Sequence, residues 1–293
     1  MSGHDELYID GRWTSPAGSE LFEPDGGPVG NPFSYQDKRV VVTGGASGIG
    51  AALLELLGDL GAPHVTVIDR KPPAAAVDRF VEADLSSRAG VDAAAAAIEG
   101  PVDVLFNNAG VAGTQPAPVV FSVNYLAVRR LSERLAGRIP AGGAVVITSS
   151  MAGIGWQAHQ DELGRLMAID DWDEALTWLD THPERAGDPY ALSKECTQLY
   201  TLRAARAASR AGTRINSACP GATSTPLLGD FRLTMTDEII DWSVRQGLGR
   251  PASPREVAQI LAFLGSDAAG YLNGVNLPVD AGLQAALATG QTD

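Results

Sequence analysis

The chain has 293 residues and a mass of 30.5 kDa, enough to bury a large core in one or two domains. Its 35 acidic residues outnumber its 22 basic ones, and the resulting charge of -13 repels phosphate backbones, which excludes nucleic acid as the main partner. No apolar run reaches the roughly 18–20 residues of a membrane span, the first residues lack a signal-peptide pattern, and two cysteines, Cys196 and Cys219, are too few for a disulfide framework. A cytoplasmic protein with reduced thiols is therefore expected.

Residues 1–37 read as an N-terminal arm. Leu7, Ile9 and Trp13 fall on odd positions around Asp10-Gly11, a hairpin turn signal, and a Gly/Pro-rich stretch runs from Pro24 to Pro32. From Lys38 onward, 38–293, strands and helices alternate. RVVVTG is apolar and β-branched, as a strand buried on both faces should be, and Ala51 to Leu57 has helical periodicity. Further strands are expected at HVTVID, ending at Asp69, and at 80–84, 102–107, 144–149, 213–218 and 274–280. The pattern predicts an α/β fold: one doubly wound Rossmann-type parallel sheet with helices on both faces.

The first main strand runs into Gly44-Gly45-Ala46-Ser47-Gly48-Ile49-Gly50 and then a helix. Such a turn brings backbone close to a pyrophosphate, and the helix aims its N–H groups at the anion. Asp69 closes the next strand about twenty residues further on, where a carboxylate accepts hydrogen bonds from ribose hydroxyls and repels a 2′-phosphate. Ser47 is neutral at a turn position where a basic residue would favour NADP, whereas Arg70 could reach a 2′-phosphate. The balance favours NAD.

Tyr190 and Lys194 stand four apart, so on a helix they share a face, and an ammonium there is expected to lower the phenol pKa. A phenol so tuned is a general acid/base. Around that pair the sequence resembles the classical short-chain dehydrogenase/reductase family over about residues 38–283. The motifs are Thr43-Gly44-x3-Gly48-Ile49-Gly50, Asp84, Asn107-Asn108-Ala109-Gly110, Asn124, Ser149-Ser150, Tyr190-x3-Lys194 and Pro220 to Pro226.

The resemblance implies roles for particular residues. Tyr190 exchanges a proton with the substrate oxygen, Ser150 orients that oxygen, and Lys194 tunes the tyrosine and holds the nicotinamide ribose. Asn124, inside the fourth helix, holds a water linking Lys194 to solvent. Asp84 and Leu85 lie beside the adenine, Asn108, Ala109 and Gly110 line the adenosine ribose, and Thr223 and Thr225, after Pro220, hold the carboxamide. The implied activity interconverts an alcohol and a carbonyl with NAD, in a homo-oligomer (dimer or tetramer) that acts on a small molecule without a membrane. No metal is expected, and His4, His64, His159 and His182 show no ligand spacing. A non-catalytic dinucleotide-binding sensor or partner protein on the same fold is the alternative, against which Ser150, Tyr190 and Lys194 all speak.

Ser150 and Tyr190 are separated by more chain than in most members of that family. Residues 156–188 form the excess, read as a helical insert. Leu163, Leu166 and Met167 suggest one helix, and Asp170 or Asp171 caps a second carrying Trp172, Leu176 and Leu179 on one face. Such inserts resemble those of a subgroup that includes bacterial 3α-hydroxysteroid dehydrogenase/carbonyl reductases and coniferyl-alcohol dehydrogenases. Either the insert packs on the domain surface, or it is a lid that walls an apolar pocket.

Overall fold

A computed structural model of the chain describes residues 7–9, 12–14 and 31–292. The chain divides into two compact units, Met1–Pro32 and Phe33–Asp293. In the first, β1 (Leu7–Ile9) and β2 (Arg12–Thr14) pair antiparallel with Tyr8 opposite Trp13. The Asp10-Gly11 turn and most of the Pro24–Pro32 stretch lie outside the described residues. The second unit takes in Phe33 to Asp37 as well, because Tyr35 is fully buried there and donates its hydroxyl to the Ala262 carbonyl at 2.7 Å.

The second unit is a seven-stranded, wholly parallel sheet. Its strands are β3 (Arg39–Thr43), β4 (His64–Asp69), β5 (Arg79–Glu82), β6 (Val104–Asn107), β7 (Ala144–Thr148), β8 (Arg214–Pro220) and β9 (Asn276–Val279). Their spatial order is β5-β4-β3-β6-β7-β8-β9. Val40, Val41 and Val42 are all buried, as a strand covered on both faces requires. The order reverses between β3 and β6. Ligands of such sheets sit at that switch, beyond the carboxyl ends of the strands.

The helices are α1 (Gly48–Asp59), α2 (Arg88–Ala97), α3 (Ala117–Phe121), α4 (Ala127–Leu135), α5 (Gln160–Met167), α6 (Trp172–Thr181), α7 (Pro183–Ala186), α8 (Pro189–Arg210), α9 (Leu227–Met235), α10 (Asp237–Arg245), α11 (Pro254–Gly265) and α12 (Leu283–Thr289). On one face α1 and α11 bury Leu53, Leu57, Leu261 and Leu264 against Val40, Val42 and Phe106. On the other, α2, α4 and α8 pack on Val41, Leu105, Val145 and Ile147. Among the described residues no helix is long and apolar enough to cross a membrane.

The insert folds as α5, α6 and α7. Asp171 is the residue that caps α6, accepting from the Asp173 and Glu174 amides at 2.9 and 3.1 Å. Leu163, Leu166, Met167, Trp172, Ala175 and Leu179 are buried in the core face shared with α4 and α8. Charge pairs fix the insert to three neighbouring helices: Arg88 of α2 to Asp171 at 3.1 Å, Arg129 of α4 to Asp170 at 2.5 Å, and Arg185 of α7 to Glu195 of α8.

Candidate active site

A cavity of about 830 Å³ opens at the carboxyl ends of the strands. It is lined by Gly44, Ser47, Gly48, Ile49, Asp69, Arg70, Asp84, Leu85, Asn108, Ala109 and Gly110 at one end. Ser150, Tyr190, Lys194, Pro220, Thr223 and Thr225 line the other. The structure thus brings together every residue given a catalytic or cofactor role in the sequence except Asn124.

The first end is built by the turn after β3. α1 starts at Gly48, and its N-terminal residue Ser47 gives it no side-chain cap, whereas Ser87, Asp188 and Ser253 cap α2, α8 and α11. The first-turn amides of α1 therefore retain donors for an anion. Gly48 has φ +56°, and a Cβ there would come within 3.2 Å of Thr225, filling the cradle between turn and far wall. Asn108 braces the turn by donating to the Gly44 carbonyl at 3.1 Å, and Thr43 accepts from the Asn108 and Ala109 amides at 3.0 and 2.9 Å.

Asp69 ends β4 and accepts from the amides of Ala46 at 3.0 Å and Lys71 at 3.2 Å. Its carboxylate is thereby fixed at the cavity wall, with Arg70 beside it. Asp84 accepts from the Ser86 amide at 2.9 Å, and that hydrogen bond holds its carboxyl below the usual carboxylate range. These groups fit the phosphate, ribose and adenine parts of a dinucleotide.

At the other end α8 carries Tyr190 in its first turn and Lys194 one turn later. Burial pushes the Tyr190 phenol up to about 12, and a hydrogen bond from Ser150 works against that rise. Burial pushes Lys194 down to about 8. The expected lowering of the phenol by Lys194 is absent from this structure. The ammonium lies 5.6 Å from the Tyr190 ring centre and donates to the Thr148 carbonyl at 2.9 Å, while burial sets the direction of the phenol's shift. The Ser150 hydroxyl accepts from the Ala152 amide at 3.1 Å.

Asn124 lies in a π-helical turn, Ser122–Leu126, between α3 and α4, not within a regular helix. Its amide accepts from the Val111 N–H at 2.9 Å and donates to the Val111 carbonyl at 3.0 Å and the Ser193 hydroxyl at 3.3 Å. It is buried behind the wall and braces the loop after Gly110 against α8.

Of the two alternatives for the insert, packing on the domain is the one the structure favours. None of residues 156–188 lines the cavity, because their apolar side chains are spent against α4 and α8. The apolar wall comes from α9, α10 and α12 instead, through Leu228, Phe231, Met235, Ile239, Ile240, Trp242 and Leu287. Phe231 packs on Tyr190 with ring centres 4.9 Å apart. The sequence reading missed these residues. Their only signal is an apolar face on the segment after Pro226, and that does not say what the face covers.

A glycine-turn cleft joined to a Ser-Tyr-Lys end and an apolar chamber defines a dinucleotide-dependent oxidoreductase. Residues 38–160 match the family model described as short chain dehydrogenase, and residues 180–284 match one described as enoyl-(acyl carrier protein) reductase. Coniferyl-alcohol dehydrogenase of Pseudomonas sp. (strain HR199 / DSM 7063) is 36% identical over 248 residues, covering 84% of this chain and 96% of that protein. The 3-alpha-hydroxysteroid dehydrogenase/carbonyl reductase of Comamonas testosteroni is 31% identical over 85% of this chain and 97% of its own. The crystal structure of the 3-alpha-hydroxysteroid dehydrogenase from Pseudomonas sp. B-0831, complexed with NADH, superposes with a TM-score of 0.71 at 34% identity, covering 87% of this chain and 99% of that one. The chain belongs to the short-chain dehydrogenase/reductase family.

Proposed function

We propose that the protein is an NAD(H)-dependent dehydrogenase that interconverts an alcohol and a carbonyl on a bulky apolar molecule. The observation that carries this reading is the meeting of Ser150, Tyr190 and Lys194 in one cavity with both the glycine turn and the apolar face of α9 and α10. The substrates in the names of the relatives, coniferyl alcohol and hydroxysteroids, have the same character.

A bound nicotinamide supplies the hydride acceptor. The protein's part is positional and electrostatic. Ser150 orients the substrate oxygen, and Tyr190 takes its proton in oxidation or returns it in reduction. The Ser150 hydrogen bond pulls the phenol toward the range where it exchanges protons, against the burial that raises it. Phe231, Ile240 and Trp242 form the surface on which an apolar substituent of the carbinol carbon rests. The fixed Asp69 carboxylate supports NAD over NADP.

Two buried free cysteines suit a reducing cytoplasm, and the proposed enzyme is a dimer or tetramer. A panel of cyclic, aryl-allylic and short aliphatic alcohols with NAD at alkaline pH tests the reading. NADH should form fastest with the bulky apolar members. No NADH from any of them, in protein that binds NAD, would remove it.

A further inference from the structure

We infer that Gln198 is a positioning residue for the reaction: from the catalytic face of α8 it holds the peptide of Ser150, and with it the hydroxyl that meets the substrate. The inference rests on the proposed dehydrogenase reading. Tyr190, Lys194 and Gln198 follow one another at four-residue spacing, so one stripe of α8 carries all three. The first two line the cavity. Gln198 sits one turn deeper, buried, and does not.

The end of β7 is joined to that stripe residue by residue. The Thr148 carbonyl accepts from Lys194 Nζ at 2.9 Å. The Ser149 hydroxyl donates to the Lys194 carbonyl at 3.3 Å and lies 2.9 Å from Thr197 Oγ1. The Ser150 carbonyl accepts from Gln198 Nε2 at 2.8 Å. A carbonyl has two acceptor positions, and the second here takes the Gly153 amide at 3.1 Å, a bond within the turn itself. The Gln198 bond is therefore the one that ties the Ser150 peptide to the helix bearing Tyr190.

The fit around this bond is close. A Cβ on Gly153 would lie 2.6 Å from the Lys194 carbonyl and 2.7 Å from Gln198 Nε2, so the turn presses directly on α8. Gln198 is held from behind as well, its backbone carbonyl accepting from Asn276 of β9 at 3.2 Å. Without the amide donor, one acceptor position of the Ser150 carbonyl is stranded beside α8. The peptide then turns toward another donor, and the hydroxyl moves away from Tyr190.

The test compares Gln198→Leu, Gln198→Glu and Thr201→Val in the full chain. Thr201 is a buried residue one turn away whose hydroxyl donates only to the Thr197 carbonyl at 2.8 Å, so its variant reports loss of packing alone. For Gln198→Leu, kcat should fall by about tenfold to 10²-fold, the loss expected of a displaced reacting group, while the Kd for NAD stays within about twofold. For Gln198→Glu, the kcat ratio to wild type should climb as pH falls, since a protonated carboxyl donates to the Ser150 carbonyl and an ionised one does not. Thr201→Val should lose thermal stability and keep kcat.

Crystal structures of the variants give a readout that needs no turnover, with the Ser150 hydroxyl displaced from Tyr190 in Gln198→Leu. A folded Gln198→Leu protein with wild-type kcat, or with Ser150 unmoved, overturns the inference. If the wild type turns over no alcohol at all, it is the dehydrogenase reading that fails, and the position of Ser150 in Gln198→Leu still decides the role of Gln198.

Discussion

Lys194 Nζ donates to the Thr148 carbonyl at 2.9 Å while standing 5.6 Å from the centre of the Tyr190 ring. The same ammonium thus braces the end of β7 and faces the phenol. Its burial has a cost that depends on pH. The folded-state pKa of about 8 lies below the unfolded value of 10.5, so the unfolded chain binds the extra proton between those values. Stability contributed at this site is therefore lowest below pH 8 and rises as pH climbs toward 10.5.

Replacing Lys194 with Met should raise the melting temperature at pH 7, in the absence of cofactor, and remove turnover. The gain should shrink as pH rises from 8 to 10.5. Thermal melts of the two proteins across that range check the sign.

The proposed preference for NAD makes Asp69 the residue to test. Its carboxylate is held by the Ala46 and Lys71 amides at the cavity wall, so it cannot swing away from a 2′-phosphate. Asp69→Ala should lower the ratio of kcat/KM for NAD to that for NADP by about tenfold, since one repelled charge is relieved. An unchanged ratio would hand the decision to Arg70.

Substrate size should be read by α9 and α10, and not by the insert. Phe231→Ala should raise KM for bulky alcohols by about tenfold and leave short alcohols nearly unaffected, the effect of opening an apolar pocket. Trp172→Ala, in the insert, should destabilise the protein by roughly 3–5 kcal/mol and leave the bulky-to-short ratio of KM values as it was. A selective rise for bulky alcohols in Trp172→Ala would restore the lid.

The parts of the molecule legible in the sequence are those specified by short stretches. The run at Val40 to Val42, the glycine turn, Asp69 at a strand end and the Tyr190-Lys194 spacing each carry their geometry within a few residues. Two helices of the insert, α5 and α6, were legible for the same reason, down to the cap near Asp171, and α7 was not. Where the insert docks was not, because its apolar face is matched by α4 and α8, and an amphipathic pattern names no partner. Asn124 shows a similar limit. It lies in a π-helical turn and makes two side-chain hydrogen bonds to Val111, contacts that no local periodicity encodes. The Tyr190 phenol shows another limit, since the Tyr-Lys spacing announces a neighbouring charge but says nothing of the burial that raises the phenol.

The most direct test of the dehydrogenase account is the turnover of Tyr190→Phe set beside its affinity for NAD. Only the phenol hydroxyl is lost in that variant, and the ring still packs on Phe231. With the best alcohol of the panel, the account predicts a fall in kcat of ~10²–10⁴-fold and a Kd for NAD close to that of the wild type. A variant that binds NAD normally and keeps more than about a tenth of wild-type turnover would show that Tyr190 is not the acid/base, and would contradict the account.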